Sequence, residues 1–315
     1  MRHVILGGGP GGAGTAEALR RRGAEVVVVR RRRPAELPEG VRHVAADALD
    51  GPGLARACEG AGVVYQCLNA PYHRWPAMFP PLQRSALAAA RGAGARYVSF
   101  ENVYMYGDPR GAPMTEASPE TPCSEKGRVR AAMSAELKAV HARGEVAVAQ
   151  VRASDLFGPG MRLASAGDEL FARAVAGKPA RAIGGLDQPH TWTFTRDAGE
   201  TLARVGLDPS TSGKVWHVPS DRPRTQRELV AAIAEVLGRP VGLQATPAWV
   251  LQVLGVFVPP VGAMLEMAYE FEQPFVVEDA ATRAALGQAP TPFLEAIRET
   301  VRWFGADAGR GRRAA

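Results

Sequence analysis

The chain has 315 residues, 46% hydrophobic and 22% charged, enough for one large domain or two unequal ones with a real core. A net charge of +6 raises nucleic acid as a partner, but the arginine clusters at 20–22, 30–33 and 310–313 have no interleaved aromatics to stack on bases, so the charge reads as solvated surface plus a complement to an anionic cofactor. Cys58, Cys67 and Cys123 are too widely spaced for a disulfide framework or a zinc site, and the histidines are scattered; a reducing cytoplasm and no bound metal are expected.

The N-terminus enters an apolar strand directly, with no signal-peptide pattern. Val4-Ile5-Leu6 runs into Gly7-Gly8-Gly9-Pro10-Gly11-Gly12-Ala13-Gly14, then a helix-forming stretch over 15–22, then a second apolar strand over 26–29. Strand, glycine turn, helix and strand make the unit that binds a dinucleotide pyrophosphate. Two glycine registers fit, and Gly7-x-Gly9-x-x-Gly12 is preferred because Gly8-x-x-Gly11-x-x-Gly14 leaves a shorter helix before Gly23. In the preferred register Gly7 permits the turn, Gly9 lets backbone approach phosphate, and Gly12 lets helix and strand pack closely.

The end of the second strand selects the cofactor. An NAD site ordinarily places a carboxylate there for the ribose hydroxyls; this chain has Arg30-Arg31-Arg32-Arg33. Guanidinium grips a 2′-phosphate that a carboxylate would repel, so NADP is expected over NAD, held by Arg30 and Arg31. A third strand over 41–47 ends at Asp47, which either accepts from the adenine amino group or caps the helix that Pro52 helps to begin. A fourth strand over 62–68 opens into Asn69-Ala70-Pro71-Tyr72-His73-Arg74-Trp75, a loop on the ligand side of a doubly wound sheet. Asn69 is expected against the cofactor, and Tyr72 and His73 against the substrate. A helix over 79–92 leads to a fifth strand over 97–100, and residues 146–151 read as a sixth.

Five stretches carry a resemblance: the glycine loop; Tyr106-Gly107-Asp108-Pro109 with Pro113-Met114-Thr115-Glu116; Val151-Arg152-Ala153-Ser154-Asp155-Leu156-Phe157-Gly158-Pro159-Gly160; Val215-Trp216-His217-Val218 leading into Thr225-Gln226-Arg227-Glu228; and residues 292–301. In this order the chain resembles an extended short-chain dehydrogenase/reductase of the NAD(P)-dependent epimerase/dehydratase superfamily. The resemblance implies a doubly wound parallel Rossmann sheet with a smaller, mostly helical C-terminal substrate domain. The dinucleotide-binding part is expected over 1–160, completed by about 190–220. The substrate-binding part is expected over 161–189 and 221–305, with a disordered tail over 306–315.

The family's catalytic positions are altered. Its Ser or Thr after the fifth strand and its Tyr-x-x-x-Lys are absent. Phe100-Glu101-Asn102-Val103 stands at the first, and Lys126-Gly127-Arg128-Val129-Arg130 at the second. Three readings follow. Lys126 acts as acid or base, with Glu101 or Asn102 orienting the substrate and Arg130 holding the nicotinamide ribose. Alternatively Tyr104 supplies the proton, with Tyr72 and His73 as further candidates. In the third, the fold is a catalytically inactive NADP-binding regulator. Met161 falls where the family places substrate contacts. Trp75, Met161 and Trp249 favour an aromatic or polyketide-like carbonyl or alcohol as substrate over a nucleotide sugar, with epimerase or dehydratase chemistry as the alternative. Ser99 and Ser154 lack a hydrolase elbow and read as strand-end residues beside the nicotinamide.

Further along, Glu169 to Ala176 reads as helical, Asp197 as a helix N-cap, and 266–271 as an amphipathic helical stretch. His190 and Trp192 read as packed aromatics before pocket residues. The apolar stretch 249–265 contains Gln252, Gly255 and Pro259-Pro260, too broken for a membrane span; a buried helix and turn, or a pocket wall, is expected. Partners are thus a small-molecule substrate, with neither nucleic acid nor membrane, and a homodimer is allowed.

Overall fold

The computed structural model describes residues 1–32, 37–246 and 265–313. Arg33 and Trp249, with most of the 249–265 stretch, lie outside the described residues. A seven-stranded sheet has the order β10-β6-β5-β4-β1-β2-β3, with every pairing parallel. Its strands are β1 Arg2–Leu6, β2 Glu25–Val29, β3 Val41–Val44, β4 Ala61–Gln66, β5 Arg96–Glu101, β6 Val148–Arg152 and β10 Val215–His217. The direction of winding reverses between β1 and β4, which opens a crevice above their carboxyl ends.

The runs that read as continuous apolar strands are buried on both faces. Val4, Leu6, Val27 and Val29 pack with Leu54, Ala86, Leu87 and Leu137 from α2 Gly51–Cys58, α3 Trp75–Gly92 and α4 Glu125–Ala142. The alternate residues Ile5, Val26 and Val28 pack with Ala16, Leu19, Ala198 and Leu202 from α1 Pro10–Arg21 and a helix, Thr195–Leu207, on the opposite face. Period-2 alternation of equally apolar residues therefore serves two layers at once. Where these two helices cross, a Cβ added at Gly199 would lie 2.7 Å from the Gly14 Cα, so that approach requires glycine at 199.

After β6 the chain leaves the sheet. β7 Asp155–Phe157 pairs with β9 Trp192–Phe194, and β8 Ala180–Ile183 with β11 Leu243–Thr246, so the substrate-side region carries two short parallel ribbons among its helices. A helical segment over 168–175 ends in the short α5 Arg173–Val175, followed by α6 Thr195–Leu207, α7 Gln226–Leu237, α8 Ala280–Leu286 and α9 Phe293–Arg313. Phe157, Phe171, Trp192, Phe194, Ile233 and Phe293 form the apolar cluster between them. The Thr225/Glu228 capping box begins α7 and left-handed Gly238 ends it.

Three local expectations are corrected. Asp197 is not an N-cap: Phe194 holds that position, and the Asp197 carboxylate, in the first turn of α6, accepts from Thr291 N at 2.9 Å and Thr291 Oγ1 at 2.6 Å. The tail expected to be disordered from 306 is helical as far as Arg313. The stretch 266–271 forms a 3-10 turn, Ala268–Phe271, where an amphipathic helix was expected. Among the described residues no helix is long and apolar enough to cross a membrane.

Candidate active site

The glycine loop is built by steric need. Gly7 has φ +98, and a Cβ on it would lie 2.5 Å from the Cys67 carbonyl oxygen at the end of β4. A Cβ on Gly12 would come under 3.0 Å from the Gly7 carbonyl oxygen, so the first turn of α1 closes down on the loop only with glycine there. Gly9 differs: it occupies the N-cap of α1, and a Cβ on it would meet nothing within 4 Å. No side chain caps this helix, and its first turn holds no acidic residue. Free amides, a positive helix end and open space above Gly9 fit a pyrophosphate.

Arg30 leaves β2 beside this loop. Its backbone N donates to Val44 O at 3.2 Å, and its guanidinium reaches across Gly8, donating to the Gly8 carbonyl at 3.4 Å. Arg31 is exposed next to it. Asp47 is exposed after β3 and accepts from Leu49 N at 3.0 Å. It does not cap α2, whose N-cap is Asp50; the chain makes a further turn first. Asn69, exposed after β4, accepts from Ala70 N at 3.0 Å.

The altered catalytic positions come together with Tyr72 and Tyr104 at the carboxyl ends of β4 and β5. Asn102 Oδ1 accepts from Tyr104 N at 3.3 Å and shapes the 3-10 turn Tyr104–Tyr106. Ser124 caps α4 by accepting from Gly127 N at 2.9 Å, which sets Lys126 in the first turn. The Lys126 side chain is buried; its ammonium pairs with Glu266 and lies 4.5 Å from the Tyr72 ring centroid. Tyr72 Oη donates to Tyr104 Oη at 3.4 Å. Trp75, anchored by its indole N–H donating to Ala70 O at 3.1 Å, stacks on Tyr104 with ring centroids 5.7 Å apart.

The other expected residues frame this group unequally. Arg130, one turn along α4, is buried with its guanidinium 5.1 Å from the Phe79 centroid and donates to Phe100 O at 3.5 Å. Its Nε is buried without a partner among the described residues. Met161 stands in the turn after Gly160, whose Cβ would lie 3.1 Å from Pro10 Cγ, so this turn overhangs the glycine loop. His73 is exposed. Glu101 does not face the site: it pairs with Arg152 at 3.1 Å in a buried network, and Arg152 also reaches Glu120 at 2.5 Å. Ser99 Oγ donates into that network, to Glu101 Oε1 at 3.0 Å, while Ser154 Oγ is buried without a hydrogen-bond partner among the described residues.

Sequence reasoning missed a set of acids. Glu270, on the 3-10 turn, is 2% exposed and its Oε1 has no hydrogen-bond partner among the described residues. Asp155, on β7, accepts from Ser165 Oγ at 3.1 Å and lies 3.2 Å from His190 Nε2. His190 is packed against Trp192, Phe271 and Phe275, as read for an aromatic cluster. Burial pushes the Tyr72 and Tyr104 hydroxyls well above the ordinary phenol range, and burial followed by the nearby Asp155 pushes the Glu270 carboxyl well above the ordinary carboxylate range. Lys126 and Glu266 are 140 residues apart, so no local pattern announces the cluster.

Comparison with known proteins bears on the family and the fold. The model of the NAD dependent epimerase/dehydratase family matches residues 4–218. A 2′-dehydrokanamycin reductase of Streptomyces kanamyceticus is 30% identical over 259 residues, covering 78% of this chain and 69% of that protein. A dTDP-glucose 4,6-dehydratase of Streptomyces venezuelae, solved with NAD, superposes with a TM-score of 0.79 at 20% identity, covering 98% of each chain. A UDP-glucuronic acid 4-epimerase of Bacillus cereus, solved with UDP-glucuronic acid and NAD, does so at 0.79 and 15% identity, covering 97% of this chain and 99% of that one. At these identities the two structures show the fold.

Proposed function

The chain belongs to the NAD-dependent epimerase/dehydratase family, whose members depend on a nicotinamide cofactor, and from that premise we propose that it is an NADP-dependent reductase of a ketone on a small organic molecule. Arg30 beside the glycine loop supports NADP over NAD, with Arg31 as second donor to the 2′-phosphate. The similarity to a reductase supports the reductive direction.

The observation that carries the reading is the Tyr72–Tyr104 hydroxyl pair beside Lys126. The dinucleotide, when bound, supplies hydride to a carbonyl carbon. Tyr104 gives its phenolic proton to the oxygen that becomes the alcohol, and Tyr72 donates into the phenolate oxygen left behind. Lys126, held by Glu266 against the Tyr72 ring, positions that tyrosine and adds positive charge as negative charge develops. Burial keeps both phenols protonated near neutral pH. A protonated phenol suits reduction; an epimerase or dehydratase cycle needs a base to begin by oxidising an alcohol. Asn102 shapes the Tyr104 turn, and Arg130 takes the ribose-facing position. The Tyr72, Trp75 and Tyr104 rings suit the apolar face of a sugar-like ring as well as an aromatic one.

NADPH consumption across a panel of ketones, keto-sugars included, tests this. Tyr104→Phe should lower kcat by roughly 10²–10⁴-fold with NADPH affinity kept. Full activity in Tyr104→Phe, with activity abolished in Lys126→Met, would transfer the proton-donor role to Lys126.

A further inference from the structure

Resting on the reading of Lys126 as an aid to the Tyr72–Tyr104 pair, we infer that His190 is a positioning residue: it fastens the turn that carries Glu266, and through Glu266 it sets Lys126. Glu266 stands just before the 3-10 turn Ala268–Phe271, and both of its carboxylate oxygens are used on α4. One pairs with the Lys126 ammonium. The other accepts from Glu125 N at 2.6 Å, an amide of the first turn that the helix itself cannot satisfy. The place of Lys126 over the Tyr72 ring thus depends on where this turn sits.

The turn is closed on itself by Glu270 N donating to Met267 O at 3.1 Å and Glu272 N to Tyr269 O at 3.2 Å. It docks on the segment 184–191. Gly185 N donates to Phe271 O at 3.1 Å, Phe275 N to Pro189 O at 2.8 Å, and Thr191 N to Phe275 O at 2.9 Å. His190 puts its side chain into the middle of that contact. Its ring is buried and stacks on Phe271 and Phe275, with centroids 5.0 and 5.2 Å apart. Nδ1 faces the Glu270 carbonyl at 3.1 Å, and a carbonyl only accepts, so Nδ1 carries a proton and donates it. Nε2 makes no aligned hydrogen bond among the described residues but lies 3.2 Å from Asp155 Oδ2 on β7, an ion pair when the ring is protonated. An apolar ring of similar size would keep the stacking and lose the tie to Glu270, so positioning and packing are separable at this residue.

The test is amide hydrogen exchange on the full chain with NADPH bound, beside NADPH oxidation with the ketone panel. His190→Phe should speed exchange over residues 265–272 and at the Glu125 amide by about two- to tenfold, the worth of one neutral hydrogen bond. NADPH affinity should not change. His190→Gln, whose amide falls at the place of Nε2, also lacks the tie and should match His190→Phe, which covers a failure of either variant to fold. His190→Asn, whose amide nitrogen reaches the place of Nδ1, should restore most of the protection. The kcat should fall with KM nearly kept, and that fall should vanish when His190→Phe is added to Glu266→Gln, because both act through Lys126. Faster exchange confined to residues 189–194, with Glu125 still protected, would overturn the inference. An undiminished kcat loss in the Glu266→Gln background would do the same. Full turnover in Lys126→Met would instead remove the reading of Lys126, and the inference with it, even with the exchange pattern as expected.

Discussion

Gly9→Ala should separate cofactor binding from folding. The added methyl meets nothing within 4 Å, and the backbone at φ −72, ψ −178 is open to any residue. Alanine is a poorer N-cap than glycine, but it restricts the unfolded chain by about 0.4–1 kcal/mol, and the two effects offset. Stability should therefore change by less than about 0.5 kcal/mol. The methyl projects where the pyrophosphate has to approach the loop amides. Losing one charge-assisted hydrogen bond there costs about 1.5–3 kcal/mol, a roughly ten- to hundredfold rise in the NADPH Kd. Gly12→Ala is the contrasting control. Its methyl falls under 3.0 Å from a backbone oxygen that cannot swing away, and overpacking of this kind costs about 1–3 kcal/mol. Thermal melting and NADPH fluorescence titration of the two variants give the answer. An unchanged NADPH Kd in Gly9→Ala would refute the placement of the pyrophosphate. Equal losses of Tm in both variants would refute the steric argument.

Other outcomes follow from the same geometry. Arg30→Ala should weaken NADPH roughly ten- to a hundredfold and leave NADH within a few-fold; parallel loss of both in titrations would mean that Arg30 supports the loop without reading the 2′-phosphate. Arg152→Met leaves Glu101 without its cation in the interior, while Glu120 keeps Lys138, and should cost about 3–5 kcal/mol in denaturant melts, with part recovered by adding Glu101→Gln; a loss under about 1 kcal/mol would show the network to be dispensable. Burial, the N-terminal ammonium and Arg96 lower the His3 pKa to about 4 from 6.5. The unfolded chain takes up that proton below 6.5 while the native protein resists until about 4, so this contribution to stability is complete above 6.5 and falls as pH drops through the window. The slope should be at most about 1.4 kcal/mol per pH unit, and His3→Gln should flatten it in pH-dependent melts.

The sheet was legible because its strands are short apolar runs separated by glycine turns, a pattern that depends only on neighbours. The glycine loop was legible for the same reason: Gly7, Gly9 and Gly12 act on adjacent backbone. Helix starts were less so. The alanine- and leucine-rich run put the beginning at Phe79, yet α3 starts at Trp75, where packing against Tyr72, Phe79 and Tyr104 outweighs the penalty of Pro80 and Pro81 inside the helix. Asp197 looked like a cap by local grammar, but Thr291 claims its carboxylate from 94 residues away. The buried acids had no local signature at all. Asp155 lies within a family-like motif and Glu270 sits in an unremarkable stretch, and only the tertiary fold buries Glu270 and sets Asp155 beside His190.

The edge strand β10 bears on how the chain is made. It pairs with β6 through Val215, Trp216 and His217, and β6 is buried at every residue from Val148 to Arg152. On a ribosome, β6 emerges well before the strand that covers it, after the whole segment carrying β7, β8, β9 and α6. During that interval a strand that is buried along its whole length in the finished fold presents unpaired backbone at the open side of the sheet, the feature that recruits other chains. Chain ends placed between β9 and β10 should therefore give aggregating fragments, and expression yield should depend on translation through residues 195–217 more than on the net stability of the finished protein.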